Sequence, residues 1–208
     1  MYTLYYSPGA ASMCVHLALL ETNAPHELIL VDLAAGQQRD PAYLKLNPNG
    51  VVPTLLIDGK PFYEAAAAVM TIAERHPEAK LAPPADSLAR AAWNQWILHF
   101  ANTLQPAFRL WFYPQDIVVD EATLDVVKAA AQRKIEAAWD RLEAHLSANG
   151  AYLLGDAPSA ADLMLIMLMR WSRNMPKPVT QWPALAAYAS LMKSRPSWKR
   201  LYQVEGLT

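Results

Sequence analysis

The rhythm of hydrophobic and polar positions changes about a third of the way along this 208-residue chain. The aromatic run Tyr2–Tyr6 reads as a strand, and Ser7-Pro8-Gly9 reads as a turn. Residues 12–22 place Val15, Leu17, Leu19 and Leu20 at positions that suit a buried helix. Residues 26–32 are β-branched and apolar and predict a second strand. A polar stretch over 34–41 leads to a short helix ending at Leu46. Asn47-Pro48-Asn49-Gly50 is a strong turn signal. Thr54–Ile57 and residues 61–63 flank Asp58-Gly59, the pattern of a β-hairpin. Ala65–Arg75 is then a run of good helix formers. The predicted order is β-α-β-α-β-β-α.

Residues 76–87 break this alternation with Pro77, Pro83 and Pro84, and the domain boundary is expected there. The predicted domains are 1–78 and 86–208. Everything beyond the boundary has helical periodicity. Residues 87 to about 105 carry Trp93, Trp96, Leu98 and Phe100. Residues 121–147 set Leu124, Val127, Ala131, Ile135, Ala138, Leu142 and Leu146 on one stripe, and Asn149-Gly150 stops that helix. Ser159 and Asp162 have the form of a capping box with Asp at the third position. The apolar run they open, 163–169, is hydrophobic all round and should be the central buried helix. Pro183 and Pro196 each stand where a helix can begin.

Composition narrows the functional classes. Hydrophobic residues make up 53% and charged residues 18%, with a net charge of −1, so there is no electrostatic footprint for nucleic acid or an anionic membrane. The single cysteine, Cys14, excludes an intrachain disulfide and any CxxC motif. The five histidines, His16, His26, His76, His99 and His145, show no metal-ligand spacing. The N-terminal residues lack signal-peptide character and no apolar run is long enough to span a bilayer. A cytoplasmic protein is expected, with no metal, no nucleic acid and no membrane partner.

Three segments then combine. Ser7-Pro8-Gly9-Ala10-Ala11-Ser12 joins a strand to a helix, Asn47 to Pro53 precedes a hairpin, and Tyr63-Glu64-Ala65 enters the next helix. In this order and separation they resemble the glutathione transferase family, especially its bacterial beta-class branch. Gly155-Asp156, the Ser159/Asp162 box, Arg195-Pro196 and Glu205-Gly206-Leu207 extend the resemblance over nearly the whole chain. It implies a thioredoxin-like α/β N-terminal domain, an all-α C-terminal domain and a homodimer, with Trp93 and Trp96 as candidate interface residues. Glutathione would be the cosubstrate, with no separate cofactor, and a hydrophobic electrophile the second substrate.

The resemblance also assigns site residues. In this family the proline at Pro53 is cis and turns the backbone of the residue before it, here Val52, toward the cysteinyl part of glutathione, adding one strand rung. The start of the helix at Glu64 and Ala65 would take the γ-glutamyl carboxylate on free backbone N–H groups. The family usually has Ser at the Ala65 position, so one hydrogen bond worth about 0.5–1.5 kcal/mol is missing here. Ser12 matches the first-helix serine and is the expected donor to the thiolate, although Ser is also a common plain N-cap. Tyr6 is a second candidate donor. The beta-class cysteine falls at Ala11, which argues against mixed-disulfide chemistry, and Cys14 is expected to be a small buried hydrophobe. Gln105 falls where beta-class enzymes often carry histidine. Phe108, Trp111 and Tyr113 would wall the electrophile pocket, with Pro106 bending their helix. The implied activity is addition of the glutathione thiol to hydrophobic electrophiles. The alternatives are a non-catalytic glutathione- or ligand-binding protein of the same fold, or a glutathione-dependent peroxidase or reductase.

Overall fold

A computed structural model describes residues 1–118 and 120–208. The chain divides into two compact units, one formed by Met1–Pro84 with Met192–Thr208 and the other by Ala85–Leu191. The expected second domain, 86–208, therefore loses its last helix to the first unit. That helix bonds to the first helix of the chain at both ends, through Arg195 and Ser197 to Glu21 and through Glu205 to His16.

The first unit runs β1 (Tyr2–Tyr6), α1 (Ser12–Glu21), β2 (His26–Leu30), a 3-10 turn (Gln37–Arg39), α2 (Pro41–Leu44), β3 (Thr54–Ile57), β4 (Lys60–Phe62) and α3 (Ala65–Arg75). This is the predicted order. The sheet order is β2-β1-β3-β4. β1 pairs parallel with β2 and antiparallel with β3, and β3 pairs antiparallel with β4. The core face of β1 carries Tyr2 and Leu4. Against it lies α1, whose Met13, Cys14, Val15, Leu17, Ala18 and Leu19 are all buried. A helix that is apolar all round must be covered on every side, and α1 contacts β1, α3 and the last helix.

The second unit is helical: α4 (Leu88–His99), α5 (Gln105–Phe112), α6 (Glu121–Asn149), α7 (Ala160–Trp171) and most of α8 (Pro183–Ser194). The helix expected over 87–105 is interrupted by a π-helical turn at Phe100–Leu104. Pro106 follows at the start of α5. Its ring cannot sit over a regular preceding turn, and a widened turn is one way a helix takes it up. On α6 the stripe holds from Ala131 through Ile135, Ala138, Trp139 and Leu142 to Leu146, all buried. Leu124 and Val127, nearer the start, are only half-buried. The capping box is formed: Asp162 Oδ2 accepts from Ser159 N–H at 2.7 Å, and every residue from Ala160 to Arg170 is buried. α9 (Pro196–Glu205) completes the first unit. No helix among the described residues is long and apolar enough to cross a membrane.

Candidate functional site

The strand register brings the sequence-predicted segments of the first unit to one end of its sheet. Tyr5 faces Thr54, so the turn after β1 lies beside the segment that enters β3. Phe62 faces Leu55, so β4 delivers the start of α3 to the same end.

The Val52-Pro53 bond is cis, as the resemblance implied. The loop before it is tied down. Tyr43 donates to the Val51 carbonyl at 2.7 Å, and Asn47 Nδ2 donates to the same oxygen at 2.8 Å. The Val52 side chain packs with Val31 and Tyr43. Its backbone N–H and C=O have no hydrogen-bond partner among the described residues. The loop thus presents one polar backbone edge with nothing paired to it, and such edges recruit an extended peptide.

Glu64, the cap of α3, has φ +73° and its side chain makes no capping bond. A glutamate in this region of backbone space costs on the order of 1–3 kcal/mol and persists only where the surroundings impose it. The first N–H groups of α3 are left without a side-chain acceptor, the arrangement that binds carboxylates. Ala65 itself is buried, and Glu64 is exposed.

Ser12 is placed differently from expectation. It is fully buried, and the cap of α1 is Ala11. Its hydroxyl donates to the Ser7 carbonyl at 3.1 Å and accepts from Ser7 N–H at 3.2 Å. The proton that would go to a thiolate is already used, so the geometry makes Ser12 the clasp of the Ser7-to-Ser12 turn. Tyr6, at the end of β1, is half-exposed. Burial, then the charge of Glu205, pushes its hydroxyl above the usual tyrosine range, so it remains a donor at neutral pH. Cys14 is buried and its Sγ donates to the Ala11 carbonyl. Burial pushes its thiol up to about 12, which leaves it inert.

Two further residues stand near this end of the unit with no role assigned to them from sequence. Arg39 lies over the Asn47-to-Gly50 turn: a Cβ on Gly50, at φ +60°, would stand 2.8 Å from Arg39 Nη1. Glu205 of α9 accepts from Gly9 N–H at 3.0 Å. Neither contact has a local sequence signal, because each residue meets its partner only through the fold.

The expected electrophile-pocket residues all lie in the second unit. Phe108 is fully buried, with its ring 6.1 Å from Trp139 and 5.7 Å from Trp171. It is core and cannot wall an open pocket, because it falls on the inward face of α5. Gln105 and Trp111 are half-buried, while Phe112 and Tyr113 are exposed. Trp93, expected at an interface, is also fully buried. Among the described residues, no group of three or more His, Cys, Asp or Glu side chains could hold a metal ion.

Comparison with known proteins agrees with this architecture. Residues 10–75 match the family model "Glutathione S-transferase, N-terminal domain", and residues 125–190 match "Glutathione S-transferase, C-terminal domain". The chain is 31% identical over 204 residues to glutathione S-transferase GST-4.5 of Xanthomonas campestris pv. campestris, covering 98% of each chain. A crystal structure of a glutathione transferase homologue from Sulfitobacter, with bound glutathione, superposes with a TM-score of 0.91 at 27% identity, covering 100% of this chain and 99% of that one. The bacterial beta-class glutathione S-transferase of Sphingomonas chungbukensis gives a TM-score of 0.86 at 30% identity, covering 99% and 100%. This chain belongs to the glutathione S-transferase family, and its named relatives make it an enzyme of the transferase type.

Proposed function

We propose that the protein binds glutathione at the end of the first unit's sheet and transfers its thiol to hydrophobic electrophiles. The observation that carries this is the unpaired backbone edge of Val52 beside the uncapped start of α3. The edge suits the cysteinyl peptide, and the N–H groups at Ala65 suit the γ-glutamyl carboxylate. Glu64 can meet the ligand's ammonium group, and Arg39 its glycyl carboxylate. The thiol then lies at the turn after β1. A free thiol has a pKa near 8.5, so a donor must favour its thiolate at neutral pH. Tyr6 has that donor, and Ser12 keeps the turn in shape. The thiolate attacks the electrophilic carbon, and the leaving group departs or the addition product takes up a proton. Trp111, Phe112 and Tyr113 offer aromatic surface for an electrophile of matching character. The expected setting is a cytosolic homodimer serving detoxification, and sedimentation at micromolar concentration checks the dimer.

The test is a pH–rate comparison with a generic aryl halide. Tyr6→Phe should lower kcat about tenfold or more and move the rising limb to higher pH, the size expected for one lost donor to a developing anion. Ser12→Ala should mainly lower stability. If Ser12→Ala moves the pH limb and Tyr6→Phe does not, the donor is Ser12. If wild type binds no glutathione by calorimetry, the whole assignment fails. Ala65→Ser should tighten glutathione roughly threefold or more by restoring one hydrogen bond.

A further inference from the structure

Glu205 stands at the end of α9 and is only 5% exposed. Both of its carboxylate oxygens are used. Oε2 accepts from Gly9 N–H at 3.0 Å, and Oε1 accepts from His16 Nδ1 at 2.8 Å. The His16 ring packs 6.2 Å from Tyr6 and 5.7 Å from His26. Gly9, at φ +73°, sits in the middle of the turn that Ser12 clasps. One carboxylate from the far end of the chain therefore touches the turn itself, the first helix and the neighbourhood of Tyr6.

The other end of α9 supplies a built-in contrast. There Arg195 donates to Glu21 of α1 from Nε at 2.7 Å and from Nη2 at 2.6 Å, and Ser197 donates to the same carboxylate. That cluster already docks α9 on α1. If docking were all that α9 needed, an apolar side chain at position 205 would serve at least as well, because a buried carboxylate costs more to desolvate than it returns unless it is fully bonded. The carboxylate is explained by what it reaches: a backbone N–H in a turn that has no side chain at Gly9 to anchor it.

We infer that Glu205 is a positioning residue of the glutathione site, fixing the Ser7-to-Ser12 turn through Gly9 and orienting His16 beneath Tyr6, so that the C-terminal helix sets the geometry in which the thiol is held. This rests on placing the glutathione thiol at that turn. The charge that Glu205 brings also helps to keep the Tyr6 hydroxyl protonated.

The experiment compares Glu205→Gln with Glu21→Gln, reading four quantities: melting temperature, amide exchange over residues 9–12, glutathione Kd, and KM for the aryl halide. Gln keeps the shape but cannot accept on both arms. Glu205→Gln should speed exchange in the turn about tenfold and weaken glutathione about tenfold, the equivalent of one lost charged hydrogen bond, with KM for the aryl halide unchanged. Glu21→Gln should lower the melting temperature while leaving exchange in the turn and glutathione affinity as in wild type. Equal effects of the two variants on exchange and affinity would reduce Glu205 to a docking contact and overturn the proposal, as would an undisturbed turn in Glu205→Gln. If Glu205→Gln melts too low to assay, Glu205→Asp carries the same test: it keeps the charge, draws it back by one carbon, and must perturb the turn in the same direction. Wild type that binds no glutathione would reject the site assignment, and the exchange comparison would still decide whether Glu205 holds the turn.

Discussion

In the second unit Asp162 bonds to Ser159, Leu153 and Tyr188, which lie 3, 9 and 26 positions away. In the first, Glu205 bonds to Gly9 and His16 across 196 and 189 positions. Both are buried carboxylates with every oxygen engaged, and both fix a chain segment that has no regular structure of its own. One is assembled from neighbours, so it can form with its helix. The other exists only when the two ends of the first unit have met. A local clasp specifies where a helix begins, and a distant one specifies where a loop lies relative to a site.

The largest effect that would test this contrast is expected at Asp162. Asp162→Ala leaves the N–H groups of Ser159 and Leu153 without that acceptor in a dry interior, while the Tyr188 hydroxyl keeps the Asp162 main-chain carbonyl at 3.2 Å. At about 1–3 kcal/mol for each stranded group, the loss should be on the order of 4 kcal/mol, a large share of the 5–15 kcal/mol typical of a whole protein. Urea unfolding followed by near-UV circular dichroism checks it. A loss below about 1 kcal/mol would mean that the box is not what holds the helix start. Glu205→Gln should cost less, roughly 1–2 kcal/mol, but should alone disturb the turn and glutathione affinity.

Next comes Glu21, at the other end of α9. Burial alone would raise its carboxyl, but the hydrogen bonds from Arg195 and Ser197 and the Arg195 charge outweigh burial and hold it below the usual range. A folded-state value below the unfolded one means stabilisation that is present above the unfolded value, about pH 4.3, and lost as pH falls through the folded value. Glu21→Gln should therefore cost about 1 kcal/mol at pH 7, and the gap to wild type should close below about pH 4. A gap that persists at pH 2 would count against it. Asp162 should show the opposite slope, because burial pushes its carboxyl up against the hydrogen bonds from Ser159, Leu153 and Tyr188. Its folded value lies above the unfolded one, so its contribution is fullest below the usual aspartate range and falls as pH rises through the folded value.

The smallest effect is expected at Cys14, which neither clasp recruits. With its thiol near 12 it should resist iodoacetamide at pH 7.5 in the folded protein and react in urea. Cys14→Ala should leave the pH–rate profile unchanged.

These residues also show why the sequence was legible in some places and opaque in others. The element order of the first unit, the capping box and the helix starts at Pro183 and Pro196 could all be read, because each follows from neighbours within a few residues. The cis bond at Val52-Pro53 and the helix start at Ala65 were expected because the order of these segments along the chain matches a known family, and the family is what proposes them, with Glu64, as glutathione contacts. Ser12 was read as a donor because position alone cannot show that the Ser7 carbonyl takes its proton. Phe108 was read as a pocket wall because helical spacing gives a face without saying what covers it. The contacts of Glu205 and the membership of α9 depend on pairings across most of the chain, and the place of Arg39 over the Gly50 turn depends on how the intervening loop folds, so no local pattern assigns any of them a role.

The placement of α9 also has a consequence for the order of events during synthesis. Residues 192–208 belong to the first unit yet follow the whole of the second in the chain. The ribosome must therefore deliver every residue of the helical unit before the first can be finished, and until then the His16 face of α1 waits uncovered. Closing a contact across 189 positions carries a large entropic cost and forms late. The nascent first third should thus be a chaperone client or an aggregation-prone intermediate, and the turn at Gly9 should be among the last parts of the protein to take its final shape.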